Sequence, residues 1–214
     1  MDLAGAFAGI GAHRLLHPGI ADGYAQRRAE VVGTPGVTVL IDGELDPPTP
    51  TLVETDLETL LAQRSTLVDE AFGPMSVVVR YDPTTDLAAA LGSLIEGSLT
   101  AAVHVGHGED TPWLRALIDV LSERAGRLLF NGWPTGVAVT PGMQHGGPFP
   151  ATTNPTTTSV GTAAIDRFLR PVTYQNCPPA LLPPPLRDDN PWVIPQRRSP
   201  ADESTTWGAA YRDR

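Results

Sequence analysis

Short apolar runs alternate with helix-length segments along the first two thirds of the chain. Runs typical of strands recur at 37–42, 51–56, 75–81, 99–105 and 127–132. Helical periodicity or helix-end signals mark the segments 18–33, 57–63, 84–98 and 110–126. In the third of these, Thr84 or Thr85 is the predicted N-cap. Strands joined by helix-length connections predict an α/β fold, a parallel sheet with helices on both faces in three layers.

The composition changes after the last of these strands. Residues 133–162 are rich in Gly, Pro and Thr, and such a stretch is too long for an ordinary connection, which indicates a functional loop. A short helix at 162–171 and a short C-terminal strand at 171–176 are predicted next. From Cys177 a Pro-rich tail should be extended, docked or disordered. We therefore expect a lead-in at 1–14, a domain at 15–176 and a poorly packed tail at 177–214.

Charge and residue usage exclude several classes of partner. Residues 1–107 carry 14 acids and 5 arginines, whereas residues 108–214 carry 10 of each, so no basic patch favours nucleic acid. All 15 positive side chains are arginines, which excludes lysine Schiff bases and the P-loop lysine. No apolar run approaches the ~18–20 residues that cross a bilayer, and no signal peptide is recognisable. A single cysteine fits a reducing cytosol, so we expect a soluble cytoplasmic protein without membrane partners.

Residues that could support catalysis or bind a metal stand in weak contexts. Cys177 precedes a Pro-rich run and has no helix N-terminus behind it to activate the thiol, which favours an incidental cysteine. A metal site could use His104, His107, Glu109 and Asp110, but a loop at the end of a strand explains this cluster equally well. The residues alone therefore assign no catalytic side chain and no metal ligand.

One segment, DEAFGP at 69–74, has the composition of a binding loop. It combines an acid, an aromatic and a Gly-Pro turn, although a loop acid, a core aromatic and a turn would give the same letters. His145 lies among glycines, which is a weak indication that it lines a pocket. No G-x-G-x-x-G after a strand, no P-loop and no G-x-S-x-G elbow accompanies these residues.

Four segments taken together resemble the C-terminal part of the aldehyde dehydrogenases. They are STLVDEAFGPMSVVVRY, AAALGSLIEGSLTAAVHV, LSERAGRLLFNGWPTGV and MQHGGPFPATTNPTTTSVGTAAIDRFLRPVTYQN. Within that superfamily, LFNGWPTGV and HGGPFPATTNPTTTSVGTAAIDRFLRPV resemble the 2-oxoglutarate semialdehyde (2,5-dioxopentanoate) dehydrogenases, which use NAD or NADP. The resemblance covers residues 12–185. It implies a fold like the family's catalytic domain and oxidation of an aldehyde to the acid with NAD(P)+.

The resemblance also implies roles for particular residues. Glu70 matches the acid that accepts hydrogen bonds from the hydroxyls of the nicotinamide ribose, and Phe72 matches the aromatic beside the nicotinamide. The loop at the aldehyde entrance is matched by Asn131, Trp133, Pro134, Thr135, Gly136 and Val137. The segment 171–176 matches the terminal strand that takes part in oligomer contacts, so the resemblance implies a homo-oligomer.

Three parts of the family pattern that catalysis needs are not matched by this chain. The dinucleotide-binding domain, the glutamate base and the cysteine nucleophile have no counterpart here, and Cys177 lies too far downstream to replace the nucleophile. Three interpretations stay open at this point. The chain is a truncated aldehyde dehydrogenase that is inactive alone, a subunit that completes a separate N-terminal half or a full-length oligomer, or an interaction module with no enzyme partner.

Overall fold

The structure, a computed structural model, describes residues 3–7, 9–134 and 136–196. It divides into two compact units, Met1–Arg167 and Phe168–Arg214. The division predicted from the sequence, a domain at 15–176 and a tail at 177–214, stays a prediction. None of the described helices is both long enough and apolar enough to cross a bilayer.

The first unit contains six α-helices, five strands and most of a 3₁₀-helix among its described residues. In chain order they are α1 (Leu3–Phe7), α2 (Pro18–Val32), β1 (Thr38–Ile41), β2 (Thr51–Asp56), α3 (Leu57–Ala62), α4 (Arg64–Leu67), β3 (Met75–Arg80), α5 (Leu87–Leu94), β4 (Ala101–Val103), α6 (Pro112–Arg124), β5 (Leu128–Phe130) and the 3₁₀ turn Thr162–Phe168. The five strands and four helices predicted from the alternating pattern are all present, and the mixed α/β class is confirmed.

The strands form two small sheets among the described residues, not the single sheet that the sequence predicted. One has the order β1-β2-β3 and the other contains β4 and β5. The pairs β2–β3 and β4–β5 are parallel, as expected, whereas β1 runs antiparallel to β2. The antiparallel pair arises because a Pro-rich turn, not a helix, joins β1 to β2, and parallel neighbours need a crossover connection.

Each sheet has its own hydrophobic core. The first contains Val31, Val53, Leu60, Leu67 and Leu94. The second contains Val103 and the buried face of α6, namely Leu114, Leu117 and Leu121. The helix α5 serves both, because Leu91 packs against each cluster.

The ends of the helices follow short-range polar rules. Pro18 occupies the first turn of α2, as predicted, and Thr111 Oγ1 caps α6 by accepting from the Leu114 amide at 3.1 Å. The prediction for α5 is wrong, because Asp86 and neither threonine is its N-cap; Asp86 Oδ1 accepts from the Ala89 amide at 3.0 Å. Thr84 is engaged elsewhere, since its amide and its hydroxyl both donate to Asp82 Oδ1.

The second unit contains no strand among its described residues. The predicted strand at 171–176 is irregular backbone. Two single 3₁₀ turns follow, Pro179–Leu181 and Pro184–Leu186. Large apolar side chains here are exposed, Val193 by 88% and Leu181 by 72%. The poor packing of the tail beyond residue 196 stays a prediction, because that part lies outside the described residues.

Candidate functional site

The loop 68–74 joins α4 to β3, and α2 holds it in place. The Tyr24 hydroxyl lies 3.4 Å from the carbonyl oxygen of Pro74 and 3.4 Å from Thr51 Oγ1. The Thr51 amide donates to the same Pro74 oxygen at 2.8 Å, which places the end of the loop against the start of β2. A Cβ on Gly73 would lie 2.4 Å from the Tyr24 ring, so only glycine fits beneath this aromatic.

The start of the loop is tied to the same helix. Arg27 Nη2 donates to the carbonyl oxygens of Thr66 and, at 3.1 Å, of Asp69. Since the backbone is held at both ends, the side chains between them project outward. Phe72 is 65% exposed, and Glu70 is exposed as well. Within the described part of the chain, the Glu70 carboxylate makes no hydrogen bond or ion pair.

Glu70 borders a large cavity in the first unit, with a volume of about 1360 Å³. Three residues that sequence assigned to the aldehyde entrance, Pro134, Gly136 and Val137, line the same cavity. Phe72 does not line it. Instead, Phe72 and Glu70 together border a second groove of about 420 Å³ that runs beside α2. The structure thus brings the predicted acid together with half of the predicted entrance loop.

Asn131 and Trp133 lie elsewhere. Asn131 has a left-handed backbone with φ of 53°, and its Oδ1 accepts from the Val105 amide at 2.7 Å. The Asn131 side-chain oxygen therefore holds the end of β4, and the role of this residue at the entrance stays a prediction. The Trp133 ring packs on His104, with the ring centroids 5.4 Å apart and an interplanar angle of 55°. Thr135, also predicted at the entrance, lies outside the described residues.

Glycines let two loops approach each other closely at the wall of the cavity. A Cβ on Gly97 would lie 2.5 Å from the carbonyl oxygens of Pro148 and Phe149. A Cβ on Gly126 would lie 2.6 Å from the Gly146 oxygen, so this contact too is backbone against backbone. Side chains would separate the loops, and the glycines therefore determine where the segment after His145 lies.

Two further side chains line the cavity, and sequence reasoning identified only one of them. Arg127, at the start of β5, donates from Nη1 to the Gly136 carbonyl oxygen at 2.9 Å and so holds the entrance loop. His145 is fixed through its backbone, since its amide donates to the Oγ1 of the buried Thr158 at 2.9 Å. A single arginine before a strand has no sequence signature, and the sequence analysis therefore did not predict that Arg127 lines the cavity.

The other candidates for chemistry are occupied or isolated. Glu109 Oε2 accepts from the Gly106 amide at 2.8 Å, and Asp110 pairs with Arg115. In the described ranges, no group of three or more His, Cys, Asp or Glu side chains is placed to hold a metal ion. Cys177 lies in the second unit, where its Sγ is 3.6 Å from the Pro178 carbonyl oxygen.

Comparison with known proteins identifies relatives over most of the chain. The chain is 45% identical over 188 residues to alpha-ketoglutaric semialdehyde dehydrogenase 2 of Azospirillum brasilense, covering 86% of the chain. It is 41% identical over 184 residues to alpha-ketoglutaric semialdehyde dehydrogenase of Acinetobacter baylyi, covering 84% of the chain. The chain belongs to the aldehyde dehydrogenase family. It spans only about a third, 35%, of the length of either relative.

Other comparisons define the limits of this assignment. No protein-family model matches this aldehyde dehydrogenase chain. Among solved structures, it resembles the delta-pyrroline-5-carboxylate dehydrogenase of Mycobacterium tuberculosis bound with NAD and cobalamin, with a TM-score of 0.53 and 18% identity. That match covers 79% of the aldehyde dehydrogenase chain and 32% of the solved one, and it concerns the fold alone.

Proposed function

We propose that the chain forms part of an NAD(P)-dependent dehydrogenase that oxidises 2-oxoglutarate semialdehyde to the corresponding acid. The observation that carries this proposal is the identity of 45% and 41% to two enzymes named for that aldehyde, over most of the chain. Oxidation of this kind needs a nucleophile and a dinucleotide-binding domain. We place both in the two thirds of the relatives' length that this chain does not match.

Two residues of the loop 68–74 fit the nicotinamide end of such a cofactor. Glu70 carries a carboxylate with no partner in the described part of the chain, on a loop whose backbone is held at both ends. Two adjacent ribose hydroxyls can both donate to one carboxylate, so a fixed, unpaired acid suits them. The exposed Phe72 ring on the same loop offers an apolar surface to the nicotinamide. When bound, NAD(P)+ would accept the hydride from the aldehyde carbon.

The chain's own contribution is therefore binding and orientation. Glu70 orients the ribose, while Pro134, Gly136 and Val137 form a wall of the cavity through which the aldehyde enters. Arg127 keeps that wall in place through the Gly136 carbonyl oxygen. Correct placement of reactants lowers the barrier even when the groups that place them carry out no chemistry.

A hybrid enzyme tests the proposal. In it, this chain replaces the 35% of the Azospirillum relative that it matches, and NAD(P)H formation from 2-oxoglutarate semialdehyde is followed by the absorbance of the reduced nicotinamide. We expect oxidation of the semialdehyde. Glu70→Gln should raise the KM for the cofactor about 10-fold to 100-fold, since hydrogen bonds to a charged group are lost.

The matched control is Glu123→Gln, which changes an exposed acid on α6 that borders neither cavity. It should leave the KM for the cofactor unchanged. A folded hybrid that does not oxidise the semialdehyde would refute the proposed function. Equal effects of the two substitutions on the KM for the cofactor would refute only the role of Glu70 and would leave the proposed function intact.

The 214-residue chain by itself supplies a second test. Two hydrogen bonds that Glu70 accepts from the ribose leave only about millimolar affinity once the costs of ordering and desolvation are subtracted. We therefore expect no NAD(P)H formation and no heat of NAD or NADP binding in titration calorimetry. Micromolar binding that Glu70→Gln abolishes would show that the chain alone contains a complete cofactor site.

We also propose that the segment 171–176 pairs with a second aldehyde dehydrogenase chain. It has the composition of a strand, but it is irregular backbone in the structure. A strand added across a subunit contact would supply the missing hydrogen bonds. This proposal predicts an oligomer, and a proline substitution described in the Discussion tests it.

A further inference from the structure

The strands β3 and β4 follow each other in the chain but do not pair with each other within the described residues. The strand β3 lies at the edge of its sheet, and β4 pairs only with β5. The connection between them runs through the helix α5, and such a crossover joins parallel strands of one sheet. In the doubly wound strand order 3-2-1-4, two strands joined by a crossover lie apart, with other strands between them. The arrangement of β3, α5 and β4 is of this kind.

The backbone of β4 has one paired side and one open side. The Ala101 amide donates to the Arg127 carbonyl oxygen at 2.9 Å, and the Val103 oxygen accepts from the Asn131 amide at 2.9 Å. Alternate residues of a strand direct their backbone groups to opposite sides. The amide and the carbonyl oxygen of Ala102 therefore face away from β5, toward a side where none of the described strands pairs with β4.

A cavity of about 430 Å³ lies beside β4 on this open side. The residues 100–104 form one wall of it, and β5 does not border it. The helices α5 and α6 form an apolar wall with five leucines, Leu87, Leu91, Leu114, Leu117 and Leu121. All five belong to the core of the second sheet or pack against it. Aliphatic side chains of a strand placed next to β4 would thus extend this core.

The strand β3 is less covered than its sequence predicts. The run MSVVVR is typical of a strand that is covered on both faces, yet Val77, Val78 and Val79 are only half-buried in the structure. The neighbouring β2, which has a strand on each side, is buried at four of its six positions. The exposure of β3 fits its open edge, so both strands next to the crossover lack cover.

A second copy of this chain does not suit these edges. Two copies related by a two-fold axis present the same edge to each other, and identical edges that exchange hydrogen bonds in this way run antiparallel. The pairs β2–β3 and β4–β5 are parallel, and a symmetric contact would cover one edge only. The relatives offer another source, because the chain covers only 35% of their length.

We propose that the open edge of β4 binds a parallel strand from the part of an aldehyde dehydrogenase that this chain does not match. Aliphatic side chains of that strand would occupy the cavity beside β4. The proposal rests on the proposed function, in which the chain forms part of a larger dehydrogenase, and it defines the surface of attachment. The added strand supplies partners for the amide and the carbonyl oxygen of Ala102.

Two neighbouring proline substitutions distinguish a paired edge from an open one. Proline removes an amide and is tolerated in a strand where that amide has no partner. Ala101→Pro removes the amide that donates to Arg127, so it should destabilise both the 214-residue chain and the hybrid enzyme. Ala102→Pro should lower the melting temperature of the hybrid by roughly 5 °C or more and change that of the chain much less. Ala102→Ser keeps the amide and controls for the change of side chain.

Amide hydrogen exchange of the unsubstituted proteins is a second measurement, and it requires no variant to fold. Peptides that contain Ala102 should exchange about 10-fold more slowly in the hybrid than in the 214-residue chain. Peptides from α6, whose amides are paired within the helix in both proteins, provide the reference.

Failure of either measurement overturns the proposal. Equal destabilisation of chain and hybrid by Ala102→Pro also overturns it, because a second copy of the chain would then already cover the edge. An active hybrid without the selective effect refutes this surface alone. A folded hybrid that shows the selective effect but does not oxidise the semialdehyde supports the surface and refutes the proposed function alone.

Discussion

The ring of Tyr24 covers Gly73 so closely that a single methyl group on the glycine would lie 2.4 Å from the ring carbon Cδ2. Tyr24 is almost completely buried, at 1% exposure. The contact joins α2 to the loop that presents Glu70. The sequence analysis explained Gly73 as part of a Gly-Pro turn. The structure adds a second reason for glycine at this position, because the Tyr24 ring leaves no space for a side chain.

We expect Gly73→Ala to lower the free energy of unfolding by about 1–3 kcal/mol, because the added methyl group has no room. Urea denaturation measures this change. In a Tyr24→Ala background the same substitution should cost much less, because the ring is gone, so the two changes should not add. Strictly additive effects in this cycle would contradict the contact.

A second prediction concerns Gly97. Its missing Cβ position lies 2.5 Å from two backbone carbonyl oxygens, which cannot rotate away as a side chain would. Gly97→Ala should therefore destabilise the chain by about 1–3 kcal/mol. The matched control is Gly23→Ala in α2, where no atom lies within 4 Å of the added methyl group.

Gly23→Ala should be neutral or stabilise the chain by up to about 1 kcal/mol, since alanine is the better helix former. Thermal unfolding of both variants compares them under one condition. If the two substitutions shift the melting temperature in the same direction, the close approach of the two loops is wrong.

The third prediction is a dependence of stability on pH at Asp56. Asp56 is the N-cap of α3. The hydrogen bond that its carboxylate accepts from the Thr59 amide is the main cause that holds its pKa below the usual value of 3.8, and the Thr59 side chain lowers the pKa further. The folded state thus prefers the charged form. The resulting stabilisation is complete above the unfolded pKa and is lost as the pH falls through the lower folded pKa.

Asp56→Asn keeps an oxygen that can cap the helix but cannot titrate. We expect the urea midpoint of the natural chain to fall more steeply than that of the variant as the pH drops below about 4. Parallel curves for the two proteins would show that this carboxyl is not linked to folding.

The fourth prediction tests the pairing proposed for the segment 171–176. Alternate amides of a strand point to opposite sides, so one of two neighbouring residues must donate to the partner. Thr173→Pro and Tyr174→Pro each remove one amide, and one of them should dissociate the oligomer. Light scattering at several concentrations reports the mass. The alanine variants at both positions retain the amide and should stay oligomeric, and a monomeric natural chain would end this proposal.

The sequence predicted local features well and tertiary pairing poorly. Alternating apolar runs located all five strands, because burial on a sheet imposes its own pattern. The separation into two sheets was missed, since strand pairing depends on contacts between distant segments. The N-cap of α5 was misassigned because Thr84, Thr85 and Asp86 are consecutive and all are residue types that cap helices, although Asp is the better cap by type.

The candidate site shows the same division. The resemblance assigned Glu70 from contiguous residues, and its role in binding a cofactor stays a prediction; among the described residues its carboxylate makes no hydrogen bond or ion pair. Asn131 was assigned to the entrance from a different segment, LFNGWPTGV, and the contact of its Oδ1 with the Val105 amide joins distant parts of the chain that no motif shows. Arg127 was identified only in the structure, since no local pattern marks an arginine whose side chain donates to the carbonyl oxygen of a loop nine residues away.

The position of α5 has a consequence for how the first unit melts. The two sheets share no ladder of hydrogen bonds among the described residues, so their coupling depends on side chains that touch both cores. Leu91 does so on a helix of only 8 residues. A single short helix therefore sets the cooperativity of unfolding. Loosening it would split one thermal transition into two, and either half could then open while the other stayed folded.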